Sequence, residues 1–435
     1  MRIVHFRSPL TLAALSAALV TLAAAGPASG TGFMIFQHGG RATGQAGAVM
    51  ARGADPSAVS YNPAALVHLD GLQLQAGFDF TTPYPSYTNA AGSFDTGHEI
   101  NFPPSAYLTW KAATDSRFAF GLGIDEPMFD NVNWVPRLFP GRFLTRREEV
   151  QISDLHLVSA YRLDDHWSVG AGVRYAYGRI KEGRNVRVAG QATGTSQEVV
   201  MDYDASTRGL GFDGSVQYKS DVWGFGGMVR SAETVKGNSS LTSELRPDVL
   251  PALPGQSTGV GSALDTHPYE LRFETPPQAT AGVWIAPYPE LRVELDAALN
   301  AWSRTDNRYA YFPNGIGAAA ISFKDRKWRD TLSLRLGVEG DLTDTISVFG
   351  GLAFEPTPVP LSTIEPGFSR GDAMVYALGA SYNFPQISFD IGWSLHQMQS
   401  RDVVGQDLRD LAATGRYSTR DQAYAASVRW RFGKN

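Results

Sequence analysis

Two stretches match patterns that carry chemistry in other chains. Gly255-Gln256-Ser257-Thr258-Gly259 has the Gly-x-Ser-x-Gly spacing of a nucleophile elbow. That device needs a strand before it and a helix after it, so that a sharp turn presents the serine to a base. Here the match lies in a Pro/Gly/Ser-rich stretch and reads as coincidence. Gly209-Leu210-Gly211-Phe212-Asp213-Gly214 has the dinucleotide spacing Gly-x-Gly-x-x-Gly. No βαβ unit surrounds it, and the run continues as a strand into Val216 and Tyr218. The eight His are scattered, with no pair at metal-ligand spacing. His156 and His396 fall on polar faces where a serine hydrolase could use them, but no partner serine stands out. With no Cys there is no disulfide, thiol catalysis or thiolate metal site. No acidic loop has the regular spacing of a Ca²⁺ site. The expectation is no enzyme, no metal and no cofactor.

What these residues sit on is β structure. From Gly71 onward the chain alternates with period two. Trp167, Val169, Ala171, Val173 and Tyr175 share one face, against Ser168, Gly170, Gly172 and Arg174. Met374, Tyr376, Leu378, Ala380, Tyr382 and Phe384 share another. Trp328, Leu332, Leu334, Leu336 and Val338 oppose Arg329, Thr331, Ser333, Arg335 and Glu339. Tyr424, Ala426, Val428, Trp430 and Phe432 oppose Arg429 and Arg431. Aromatic ends on the apolar face suit interfacial girdles, and charges on the other suit a wet lumen. About 14 such segments can be counted, and the gaps between them alternate short and long. Asp164-Asp165-His166 and Asn383 to Gln386 are short; Thr81 to His98, Pro127 to Arg146 and Glu355 to Asp372 are long. Sorting by parity is the outer-membrane pattern of short periplasmic turns and long outer loops.

Residues 1–30 read as a signal peptide: Arg2 and Arg7, the apolar run Leu10 to Ala25, then Ala28-Ser29-Gly30 as a cleavage site. Removing it takes the net charge from −5 to −7, which disfavours nucleic acid as the main partner. No later apolar run is long enough to span a bilayer as a helix, which leaves a closed barrel as the way across. Between leader and barrel, residues 31–70 are rich in Gly and Ala but carry Phe33, Ile35, Phe36, Val49, Val59 and Leu66. Such a stretch can thread a lumen with little side-chain volume, and it is too apolar for a solvated linker. The fold expected is all-β: a 14-stranded antiparallel transmembrane barrel over 71–435, plugged by an N-terminal hatch. One outer loop carries Met128, Phe129, Trp134, Phe139 and Phe143. It is either a landing surface for an apolar ligand or a patch packed on its own barrel.

Taken together these residues resemble the FadL/TodX-type outer-membrane transporters of long-chain fatty acids and other hydrophobic compounds. The resemblance spans nearly the whole mature chain. It is carried by Gly40-Arg41-Ala42, Gly47, Asp55, Asn62-Pro63-Ala64, Ala160-Tyr161-Arg162-Leu163, Ala301-Trp302-Ser303, Trp328-Arg329-Asp330 and Thr357-Pro358-Val359-Pro360. It implies passive capture of a hydrophobic ligand by extracellular loops, passage to a site near the hatch, and lateral release into the membrane through a kinked third strand. By position, the kink falls on Arg117 to Glu126, with Gly121 and Gly123 as weak points. A basic pair for a ligand carboxylate falls on Arg184 and Lys324, an acidic residue at the gap on Glu355, and the hatch turn on Asn62, Pro63 and Ala64. Phe129, Trp134 and Phe139 are the expected apolar contacts. The ligand is a long-chain fatty acid or, alternatively, a neutral aromatic hydrocarbon. The other partners are outer-membrane lipid and lipopolysaccharide, and the barrel is expected to be a monomer. An outer-membrane lipid hydrolase or a structural barrel is the reading from another class. The tail Gly433-Lys434-Asn435 departs from the aromatic ending usual in such barrels.

Overall fold

The computed structural model describes residues 34–97, 100–134, 139–189, 196–245, 265–316, 319–403 and 414–432. The leader, the Gly255–Gly259 match, most of the Glu244–Thr266 loop and the C-terminal three residues lie outside the described residues. Fourteen antiparallel strands follow one another around a closed wall. They are β1 (Gly71–Thr81), β2 (Pro104–Lys111), β3 (Phe118–Asn133), β4 (Arg147–Arg162) and β5 (Trp167–Ala189). Next comes β6 (Ser196–Lys219), then four strands each built from two pieces. These are β7 (Trp223–Arg230, Thr234–Leu245), β8 (Asp265–Glu274, Gln278–Tyr288), β9 (Leu291–Asn300, Asn307–Ile316) and β10 (Ala319–Asp325, Thr331–Asp341). The last four are β11 (Ile346–Glu355), β12 (Ala373–Asn383), β13 (Ile387–Met398) and β14 (Gly415–Phe432). β14 returns to β1, from Leu72↔Phe432 to Thr81↔Ala423, so the wall has no open edge. Closure pairs the ladder groups within the wall, as a bilayer requires, except where β2 and β3 part beyond Ala106↔Ile124.

The side-chain alternation sorts as expected. Trp167, Val169, Val173 and Tyr175 are exposed outward, whereas Ser168 and Arg174 are buried inside. The Gly209–Gly214 run is simply part of β6. One residue of the expected apolar faces is elsewhere. Trp328 lies in the break between the two pieces of β10, the second of which begins at Thr331, and is buried in the outer aromatic core instead. The preceding Lys327 has φ +50, a left-handed bend that turns the chain off the strand line. β5 and β6 have 23 and 24 residues, about twice what a tilted strand needs to cross a bilayer. Their outer halves therefore stand above the membrane. There the outer loops form a core of Tyr87, Trp134, Phe139, Trp302, Trp328 and Tyr417 with aliphatic neighbours.

Residues 34–69 lie within the wall and are almost wholly buried. They fold as two short helices, α1 (Gly40–Gly44) and α2 (Ala58–Tyr61), and a 3₁₀ turn, Pro63–His68. Gly40 packs so closely on β13 that an added Cβ would stand 2.4 Å from the Asp390 carbonyl oxygen. Gly53 holds φ +51 with Ala65 beside it, a place where an L side chain would be strained as well as crowded.

Candidate functional site

The wall forks between β2 and β3. Their ladder ends at Ala106↔Ile124, although β3 runs on to Asn133 along β4. On the β4 side the register slips between Asp125 and Met128, leaving Glu126 and Pro127 unpaired. Proline has no N–H to give a ladder, so it is tolerated in a strand at an edge or a bulge. Into this fork comes the start of the N-terminal segment. Ile35 donates its N–H to the Pro127 oxygen at 2.9 Å, and Met34 bridges Met128 in antiparallel fashion. Below the slip, Asp125 is fully buried and held from both neighbouring strands. Tyr107 of β2 donates to it at 2.9 Å, and His156 Nε2 of β4 lies 3.1 Å away.

Met34, Ile35 and Phe36 separate two cavities. One, of about 730 Å³ including its mouth, is lined by Phe129, Glu355, Arg370, His396 and Met398 among others. The second, of about 500 Å³ including its mouth, is lined by Met50, Tyr61, Pro127, Met228, Arg230 and Arg335. Both walls are mixed, with soft Met and Phe surface beside charged groups. Met suits an adaptable apolar surface. Arg335 is central. Its guanidinium lies 4.5 Å over the Phe36 ring, and its Nε is 3.9 Å from Glu355 Oε1, too far for a hydrogen bond. In the first cavity the Arg370 guanidinium is 2.5 Å from Asp130.

Charge fastens the rest of the segment to the lumen. Arg41 and Arg52 both reach Glu339 of β10, at 2.6 and 2.7 Å. Arg41 also faces Asp55 at 3.5 Å. The Met50 and Ala51 N–H groups donate to Asp296 and Glu294 of β9, at 3.0 and 2.5 Å. The Gly39 N–H and the Thr43 hydroxyl point at Asp79 of β1. Burial lowers the His38 imidazole below its ordinary value, so it is neutral beside these groups. Burial, with Lys219 and Lys111 nearby, brings His68 down to about 3.

The residues singled out from sequence fall in several places. Glu355 is 2% exposed at the end of β11 and lines the first cavity, as does Phe129. Trp134 and Phe139 stack on one another at 4.3 Å, buried with Tyr87 and Tyr417, so of the two readings of that loop they follow the packed one. Asn62 donates its amide to the Met50 oxygen at 3.0 Å. The turn that begins at Pro63 docks on β5 and β6 rather than beside β1: Ser168 donates to the Ala64 oxygen, and the Ala64 N–H donates to Ser215. Gly121 and Gly123 are not where the wall breaks. The ladders run through them, and their bareness makes room for Val59, which an added Cβ would meet at 2.5 and 2.8 Å. The break is at Glu126-Pro127. Arg184 sits on the outer half of β5, its Nη2 3.3 Å from the Tyr203 hydroxyl, and lines neither cavity. Lys324 lies on the outer piece of β10 opposite Arg308, and its side chain is outside the described residues.

The chain has known relatives. The family model described as outer membrane protein transport protein (OMPP1/FadL/TodX) matches residues 21–432. The chain belongs to this family. It is therefore an outer-membrane transport protein and not an enzyme. Among OMPP1/FadL/TodX relatives, a long-chain fatty acid transport protein of Escherichia coli O6:H1 is 23% identical over 406 residues, covering 88% of each chain. Outer membrane protein P1 of Haemophilus influenzae is 22% identical over 473 residues, covering 95% of this chain and 98% of its own. The solved Pseudomonas aeruginosa FadL homologue superposes with a TM-score of 0.79 at 20% identity, covering 93% of this chain and 100% of that one. The P. putida toluene transporter TodX gives 0.71 at 13% identity, covering 92% and 99%. The shared fold is the FadL/TodX barrel.

Proposed function

We propose that the chain is a passive channel for long-chain fatty acids or related hydrophobic molecules, with residues 31–70 as its hatch. Residues 1–30 would be the cleaved leader and 71–435 the barrel. The observation that carries the reading is the fork: a gap in the wall filled by Met34–Ile35, with a cavity on each side of the filling segment. A ligand captured at the outer loops would pass the first cavity, displace Met34–Phe36 and leave sideways between β2 and β3. Each methylene moved from water to an apolar wall is worth about 0.8 kcal/mol, and release into lipid avoids returning that cost to water. Arg184 and Lys324, on outer strand extensions, would meet an anionic headgroup before the cavities. Glu355 would hold Arg335 in place at the inner end. A closed barrel needs no partner copy, so a monomer suffices.

A second reading, neutral aromatic hydrocarbons, is favoured by the first cavity's charge. Asp79, Glu355 and Asp421 line it against Arg370, itself paired to Asp130. A carboxylate would be poorly received there.

The test uses the absence of Cys in the natural chain. Met34→Cys/Met128→Cys would clamp the segment in the fork under oxidation and free it under reduction. Oleate and toluene uptake by cells should both fall on oxidation and recover on reduction. Arg335→Met in the same assay separates the ligands: oleate uptake falls several-fold and toluene uptake persists if a carboxylate is read. Full uptake by a completely cross-linked protein would overturn lateral release through this fork.

A further inference from the structure

Above the lipid-facing band, one cross-strand row differs from its neighbours. The last apolar row on this side of the barrel is Leu155, Tyr175 and Leu210, which pair in sequence across β4, β5 and β6 and are all exposed. One step further out on the same face, Tyr177 pairs with Arg208, Arg208 with Lys236 and Lys236 with Arg272. Three cations thus stand opposite one another on β6, β7 and β8, over two strand spacings or roughly 10 Å. Like charges directly opposite in a sheet repel, so Arg208 beside Lys236 is costly without an anion.

The surrounding cations are already neutralised. Arg179 pairs with Asp204, Lys181 with Glu149, and Arg146 with Asp202. Glu270 and Glu274 flank Arg272 along its own strand. Arg208 and Lys236 are exposed and, among the described residues, have neither an ion pair nor a hydrogen bond. Their height is fixed by the girdle below them. They sit where hydrocarbon gives way to headgroups on the outer side of the membrane.

We infer that Arg208 and Lys236 form a binding site for the phosphate groups of the outer leaflet's glycolipid, with Tyr175, Tyr177 and Leu210 against its acyl chains. Arg takes phosphate oxygens in a fork and Lys adds a point charge. The site needs only the outer-membrane setting and is independent of what the channel carries.

The test is retention of lipid A by the purified full-length barrel. Wild type, Arg208→Gln/Lys236→Gln and the control Arg179→Gln/Lys181→Gln would be mixed with bisphosphorylated or dephosphorylated lipid A. Bound lipid is counted by native mass spectrometry. Heat-modifiable gel mobility checks that each variant keeps a folded barrel. Wild type and the control should hold bisphosphorylated lipid A at least about tenfold more tightly than the dephosphorylated form, as expected for two basic groups at an anionic surface. The Arg208/Lys236 variant should lose that preference while oleate and toluene uptake stay as in wild type. A folded variant that keeps the preference, or a wild type that has none, overturns the inference. Full displacement of lipid A by millimolar inorganic phosphate would assign the row to a soluble anion and overturn it equally.

Discussion

At the scale of single residues, the hatch is held by a few buried charges whose partners are far away in sequence. Arg41 and Glu339 are 298 residues apart, and Arg52 shares the same carboxylate. Replacing Glu339 by Gln would leave two buried guanidinium groups facing a neutral amide. Breaking such a cluster from one side costs about 3–5 kcal/mol. The expected outcome is much faster amide exchange over residues 40–55 with unchanged exchange in the strands; uniform protection would mean Glu339 is dispensable to docking. The histidines set a second expectation. His38 is lowered by burial and His68 lies at about 3, both below the ordinary value near 6.5. At these two histidines the undocked segment binds more protons than the docked one below about pH 6.5, so their contribution to docking is fully present above that and is lost as pH falls toward the folded values. A nitroxide at Ala54→Cys, the one thiol in the chain, should gain mobility between pH 7.5 and 5. His38→Gln/His68→Gln should flatten that response.

At the scale of elements, the fork turns on one imino acid. Pro127→Ala restores a ladder donor at the slip while keeping the carbonyl that accepts from Ile35. β3 should then pair further along its length, the gap should narrow, and oleate uptake should fall; unchanged uptake would place the exit elsewhere. Period-two alternation and loop parity made the strands and their number legible, because both are local signals. The fork was half legible. Gly121 and Gly123 drew attention as bare strand residues, but their bareness serves packing against Val59. The missing N–H of Pro127 was the better signal, hidden because the same residue also reads as the start of a loop. Trp328 misled for a related reason: its spacing continues the apolar face, yet the left-handed Lys327 takes it off the strand. The site's ion pairs were not legible at all. They join the hatch to strands hundreds of residues away, and only the closed barrel brings those strands together.

At the scale of the molecule, wall and hatch are separable in a way that can be measured. All fourteen strands pair with one another, and among the described residues the 34–69 segment joins the wall's pairing only at the fork, through Met34↔Met128 and Ile35 to Pro127. Deleting those residues should leave a barrel that still runs as a heat-modifiable band. The lumen it exposes would be charged rather than greasy. Asp79, Glu294, Asp296 and Glu339 would lose the Gly39, Ala51 and Met50 amides and the Arg41 and Arg52 side chains that now face them. In a closed lumen those carboxylates would be prohibitive, but water entering the vacated space would solvate them. They would then act as fixed anions along a wet pore. In planar bilayers the deletion variant should therefore give stable, high conductance where the intact protein is closed, with a reversal potential in a salt gradient that favours cations. Restoring Glu339→Gln and Asp296→Asn in the deletion background should reduce that preference. A deletion variant that folds but does not conduct would mean the outer loops, not the hatch, close the barrel.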